Sequence, residues 1–350
     1  MTLFMLGCNN SSDNAKADAN DTAQRIKAFW NEMTAPQKIV LGYYENPWAG
    51  SPESSGSLPS LRTSYKSLTA IAPYWYKVGS DGSLETSDVP DVFREAAGLN
   101  LKVYPLVTNK RSATAEILGN PKVRQTATDN LAALAADYNY DGLNIDFELL
   151  PPDQRDNLTE FMKTLYPKMK ERGKTVIISV FPQVGVHESV SGAYDYEALA
   201  KCSDYIQIMT YDNHWSTSKP GAIAPIGWYE DNIKYAIEKI GDAKKVLVGV
   251  GAYGYDWDLT KNEAETVTYA QAMRLAAEHD ATVEYDDEMQ APHFAYENHE
   301  VWFENDASTA AKMAVIKKYK PIGIAIWRLG QEQPEIWPEI DKVWRQFEKN

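Results

Sequence analysis

From Lys38 onward the hydrophobic positions alternate between two rhythms: short runs of β-branched and aromatic residues, then longer stretches where apolar residues return every three or four positions. That alternation predicts repeated βα units around a parallel sheet. The candidate strands are Ile39–Tyr44, Leu68–Trp75, Leu101–Thr108, Gly142–Glu148, Val176–Phe181, Tyr205–Tyr211, Val246–Tyr253 and Ile322–Trp327. Eight such strands close naturally into an α/β fold of the (β/α)8 TIM barrel type. The helices are equally periodic. After Pro151-Pro152-Asp153, Leu158, Phe161, Met162, Leu165 and Met169 form one apolar stripe, and Ile336, Ile340, Val343, Trp344 and Phe347 form another in the last helix. Between the seventh and eighth strands lie about 70 residues, far more than a usual βα loop and helix. Tyr269–His279 reads there as a helix, Thr282–Tyr285 and His293–Tyr296 as a strand pair, and Ser308–Tyr319 as the barrel's seventh helix. The expected body therefore spans 36–350, with a small α+β insertion at about 258–306 between strand 7 and helix 7.

Residues 1–35 have a different character and are expected to hold a signal remnant, a tether and a helix. Met1-Thr2-Leu3-Phe4-Met5-Leu6-Gly7-Cys8 resembles the end of a bacterial lipoprotein signal, which makes Cys8 a candidate lipidation site. No basic region precedes the apolar run; the alternative is a frayed terminus with an incidental cysteine. Asn9 to Asp21 is rich in Asn, Ser, Asp and Ala, a solvated composition with too little apolar surface to fold. No later segment has the roughly 18–20 uninterrupted apolar residues of a membrane-spanning helix, so membrane contact is expected only through the anchor.

Composition narrows the chemistry. Across 350 residues, 35 Lys and Arg face 49 Asp and Glu, a net charge of −14, which argues against a nucleic-acid partner. With only Cys8 and Cys202 there is no disulfide framework and no CxxC pair. The 5 histidines show no metal spacing, and no cofactor is expected. Gly249-Val250-Gly251-Ala252-Tyr253-Gly254 formally fits a dinucleotide glycine motif, but Tyr255-Asp256-Trp257-Asp258 does not open an amphipathic helix; the run is read as lining a groove.

The informative string is Asp141-Gly142-Leu143-Asn144-Ile145-Asp146-Phe147-Glu148. Strand alternation sends Leu143, Ile145 and Phe147 to one face and Asn144, Asp146 and Glu148 to the other, into the barrel. Such a polar stack is costly inside a fold unless it has partners or a task. With two carboxyls about 6–7 Å apart along a strand, one pKa is expected to rise, and that group can act as a general acid. A polar ladder that merely fills the barrel is the structural alternative. Coupled carboxylates at the C-terminal end of a barrel strand favour an active site.

At this point the chain resembles glycoside hydrolase family 18, whose fourth-strand signature is D-G-x-D-x-D-x-E, with Asn144 standing where most members carry Asp. Met209-Thr210-Tyr211-Asp212 on the sixth strand resembles the family's M-x-Y-D motif, and Trp327 ends the eighth strand. The resemblance implies Glu148 as general acid/base, Asp146 and Tyr211 as the holders of a substrate N-acetyl group, Asp212 as a sugar contact and Trp327 as an apolar floor. It implies substrate-assisted cleavage of β-1,4 bonds in N-acetylglucosamine glycans. Segments around Tyr74, Asn144 and Tyr253 resemble the bacterial branch that includes spore-cortex N-acetylglucosaminidases. That implies an extracytoplasmic, cell-envelope protein, expected as a monomer, acting on peptidoglycan-type or chitin-type glycan. Asn144, replacing a carboxylate, is expected to let Asp146 stay ionised above a neutral neighbour. Tyr44, Trp75, Tyr76, Trp215, Trp228, Tyr253 and Trp257 are candidate stacking residues, Met209 shares the inward face of Tyr211, and His214 is placed to touch substrate. A glycan-binding barrel without catalysis, of the chitinase-like lectin kind, is the alternative; the presence of Glu148, Asp146 and Tyr211 together favours an enzyme.

Overall fold

The β-branched runs become strands because both of their faces find apolar cover. Val40, Val176, Ile178, Val180, Val246, Val248 and Val250 pack outward with the helices, while their neighbours Leu41, Ile177 and Leu247 pack together inside the barrel. Burial on both faces is what a parallel sheet requires. The computed structural model describes residues 38–47 and 56–347. Cys8, with the rest of the expected tether, lies outside the described residues, as do the side chains of Trp344 and Phe347.

The barrel strands are Ile39–Tyr44, Ala70–Val78, Lys102–Val103 resuming as Leu106–Asn109, Gly142–Asp146, Thr175–Val180, Tyr205–Ile208, Val246–Gly251 and Gly323–Trp327. They run parallel in chain order, and the first pairs with both the second and the eighth, so Leu41 stands opposite Ala70 on one side and Ala325 on the other. The expected (β/α)8 barrel is thus the observed fold. Helix Arg155–Glu171 buries Leu158, Phe161, Met162, Leu165 and Met169, the predicted stripe, and Phe161 meets Phe147 with ring centroids 5.0 Å apart. Each such side chain contributes about 1.5–3 kcal/mol on burial.

Two strands stop earlier than their hydrophobic runs. The fourth ends at Asp146 and the sixth at Ile208, so Glu148 and Tyr211 stand beyond the ladder. After Ile208 the N–H groups of Thr210 and Tyr211 donate two residues back, to Ile208 and Met209 carbonyls at 2.9 and 2.8 Å. These tight turns lift the chain off the sheet at the barrel mouth.

The insertion holds helix Tyr269–Glu278, capped reciprocally by Thr268 and Gln271, and a five-stranded antiparallel sheet. Its strands lie in the spatial order Glu263–Thr268, Tyr253–Asp258, His299–Trp302, Ala291–Tyr296, Glu284–Asp286. The predicted strand pair appears as its last two members. Tyr253, read from sequence as the end of the seventh barrel strand, instead begins this sheet: Tyr253, Tyr255 and Trp257 bury one face while Gly254 and Asp256 take the other. Among the described residues no helix is long and apolar enough to cross a membrane.

Candidate active site

The inward residues of the fourth strand rest on a layer of neutral polar groups. Asn144, fully buried, donates from Nδ2 to the Tyr43 hydroxyl at 3.0 Å and accepts at Oδ1 from Ser179 Oγ at 3.0 Å. Tyr43 in turn donates to Gln207 Oε1 at 3.0 Å. Four strands therefore contribute one closed set of hydrogen bonds across the barrel, which repays the desolvation of each member. Burial pushes the Tyr43 phenol well up, so it stays neutral.

Asp146 sits one step above this layer. Its carboxyl is buried, and Oδ1 has no hydrogen-bond partner among the described residues. Burial first, then the neighbouring Glu148 charge, push it well above the ordinary carboxylate range; a hydrogen bond with Ser179 offsets part of this. Asn144 adds no charge of its own below Asp146, so burial rather than a like charge at position 144 is the first cause of the rise.

Glu148 lies just past the strand, held by its backbone. Its N–H donates to Asn109 Oδ1 at 2.9 Å, its carbonyl accepts from Asn109 Nδ2 at 3.3 Å, and the preceding Phe147 carbonyl accepts from Tyr194 at 2.7 Å. Leu149 then takes a left-handed conformation (φ 53°), turning the chain away from the mouth. Burial raises the Glu148 carboxyl, the Arg111 cation pulls it down, and Asp212 raises it further.

From the sixth strand, Tyr211 is buried with its ring edge toward Tyr253, centroids 6.3 Å apart. Room for it exists because position 249 is glycine: a Cβ there would stand 2.8 Å from Tyr211 Cε1 and 2.6 Å from the Ile208 carbonyl. Asp212, at φ 57°, opens to solvent yet accepts from the hydroxyls of Tyr253 and Tyr255, which lowers a carboxyl that nearby protein mass raises. Tyr253 is therefore a buried partner of Asp212 rather than an open stacking platform. Met209 is buried with the same cluster.

Trp327 is half-buried beside Tyr43, ring centroids 5.0 Å apart, and faces a cleft of about 610 Å³ that also meets Asp146 and Glu148. The same cleft is lined by Tyr74, Lys77, Asn109, Lys110 and Arg111. Several expected groove residues are not there. Tyr44 and Trp75 are buried between strands and helices, Trp75 with its indole N–H on Asn46 Oδ1 at 3.4 Å. Tyr74, 40% exposed, takes the place given to Trp75. Alternation already pointed to it: Ala70 and Ala72 face inward, so Tyr74 follows them, and the bulge between Tyr74 and Tyr76 keeps both Trp75 and Tyr76 outside. His214 is tied into its own loop, Nδ1 to the Lys219 carbonyl at 3.0 Å, and does not line the cleft. Trp257 is buried, whereas Trp215 is 47% exposed. Among the described residues no three His, Cys, Asp or Glu side chains converge as a metal site.

The model of glycosyl hydrolases family 18 matches residues 40–332. The cortical fragment-lytic enzyme of Bacillus subtilis is 28% identical over 321 residues, covering 87% of this chain and 74% of its own. The spore cortex-lytic enzyme SleL of Bacillus megaterium is similar in structure with a TM-score of 0.79 at 26% identity, covering 88% of this chain and 74% of that one. A chitinase of Chromobacterium violaceum gives 0.79 at 27% identity, over 87% of this chain and 98% of that one.

Proposed function

This chain belongs to glycosyl hydrolases family 18 and is a glycosidase that hydrolyses glycans, and from that premise we propose that it cleaves the β-1,4 bond on the reducing side of N-acetylglucosamine with retention, by substrate assistance. The observation that carries this reading is that Asp146, Glu148 and Trp327 line one cleft at the barrel mouth, where burial raises both carboxyls. Burial favours the protonated form of Glu148, and the protonated carboxyl delivers its proton to the glycosidic oxygen as the bond breaks. The substrate's acetamido oxygen attacks the anomeric carbon and forms an oxazolinium-type intermediate, the departure from the usual two-carboxylate scheme. The partnerless Oδ1 of Asp146 accepts the acetamido N–H and Tyr211 donates to its oxygen, holding the nucleophile in line. Glu148, now ionised, takes a proton from the water that opens the intermediate. Trp327 supplies the apolar face under the sugar, and Asp212 a polar contact beside it.

The names of the relatives favour cell-wall glycan as substrate and chitin-type oligosaccharides second. A cell-wall glycan as substrate supports action outside the cytoplasm, where Cys8 is the residue that would carry an anchor. Mass spectrometry of products from peptidoglycan strands and chitooligosaccharides tests the reaction. Native protein yields fragments with reducing N-acetylglucosamine ends, and Glu148→Gln lowers kcat by about 10²–10⁴-fold. Equal turnover by both proteins overturns the assignment of Glu148.

A further inference from the structure

We propose that Lys77, Lys110 and Arg111 form an anion subsite in the cleft that seats a carboxylate borne by the glycan, making an acidic N-acetylated strand, rather than a neutral chitin-type chain, the preferred substrate. The inference rests on the hydrolase reading of the same cleft and names its substrate class. The three cations come from two adjacent strands: Lys77 pairs in register with Thr108, and Lys110 and Arg111 follow directly, with the Lys110 N–H donating to the Val78 carbonyl at 3.1 Å. All three line the cleft that also meets Asp146, Glu148 and Trp327.

Structural duties do not account for them. The side chains of Lys77 and Arg111 have no hydrogen bond or ion pair among the described residues, and Lys110 reaches only Glu85, 3.9 Å away with both partners well exposed. Arg111 lowers the Glu148 carboxyl, but neither lysine is among the groups that set it. A protein of net charge −14 repels an anionic strand at long range, so a local concentration of cations inside the cleft decides whether a carboxylate can dock beside the reacting bond. Neutral sugars can accept hydrogen bonds from these groups but bring no opposite charge to them, and Tyr74 and Trp327 offer them a stacking surface in the same cleft. A carboxylate gains charge-assisted hydrogen bonds.

The test compares kcat/KM on peptide-free glycan strands bearing lactyl carboxylates, on the same strands amidated with carbodiimide and ammonia, and on chitohexaose. Native protein is expected to prefer the carboxylated strands by about ten-fold or more, with the preference shrinking as salt rises. K77Q/K110Q brings the ratio of carboxylated to amidated rates to within about two-fold. Equal native rates on carboxylated and amidated strands overturn the subsite, as does a double variant that slows every substrate equally. Should the native protein cleave none of these, the hydrolase reading fails separately, and calorimetric titration of the carboxylated and amidated strands into it still decides the subsite: tighter binding of the carboxylated form supports it, and equal binding overturns it.

Discussion

The active-site carboxyls show how little a residue's chemistry follows from its own type. Asp146 and Glu148 share a strand face and a direction of shift, yet their second causes differ: Asp146 feels Glu148, whereas Glu148 feels the Arg111 cation. Removing that cation raises Glu148 further, and a group that must be protonated to act then keeps its proton to higher pH. Arg111→Gln is therefore expected to move the alkaline limb of kcat/KM toward higher pH; a limb that stays in place or moves down contradicts this electrostatic role. Asn144 illustrates the other half of the same lesson. From sequence it reads as a missing negative charge, but in the fold it is the centre of a neutral layer that positions Tyr43, Ser179 and Gln207. Alternation placed Asn144 inward correctly; what it met there depended on residues up to 101 positions away in the chain.

At the scale of elements, the strands were legible because a parallel barrel buries both faces and leaves unbroken apolar runs, with the eight runs falling within a few residues of the observed strands. Less legible was where each ladder stops. Phe147 and Met209 are as apolar as the residues before them, so the hydrophobic pattern runs on past Asp146 and Ile208, while the turns that end the strands are built by Asn109 and by local backbone bonds. Trp75 was misplaced for a related reason: a large aromatic beside a bulge draws attention, whereas the inward parity of Ala70 and Ala72 identifies Tyr74. The close approach of the sixth and seventh strands gives an element-scale prediction. Gly249→Ala drives a methyl into the Tyr211 ring and the Ile208 carbonyl, which is expected to lower kcat by about 10–100-fold and stability by about 1–3 kcal/mol. Native kcat in this variant removes Tyr211 placement as the reason for the glycine.

At the largest scale, the described residues from Lys38 onward form a closed barrel with an open sheet inserted after its seventh strand, and Glu304 staples their junction. Glu304, where the chain leaves the insertion, donates its N–H to the Tyr253 carbonyl at 3.1 Å, and its buried carboxylate meets Lys312 of the seventh helix at 2.7 Å. Both side chains are almost fully buried, so removing one strands the other. Lys312→Met is expected to cost about 3–5 kcal/mol, measured by urea unfolding, while adding Glu304→Leu recovers most of that loss. A double variant as unstable as the single one means packing, not charge, holds the junction. The grafted sheet has a further consequence. The sheet of the insertion ends in two outer strands, Glu284–Asp286 and Glu263–Thr268, the latter covered on its outer side where the Ala264 N–H donates to the Ser216 carbonyl at 2.9 Å. One rim carries Glu263 and Glu265; the other carries Glu284 and Asp286, with Asp287 and Glu288 following. Such rims invite other chains to add strands unless something repels them. Like charge on Glu263, Glu265 and Glu284 is expected to keep one molecule's sheet from growing into the next, while Asp286 also holds its own turn by accepting from the Glu288 and Met289 N–H groups.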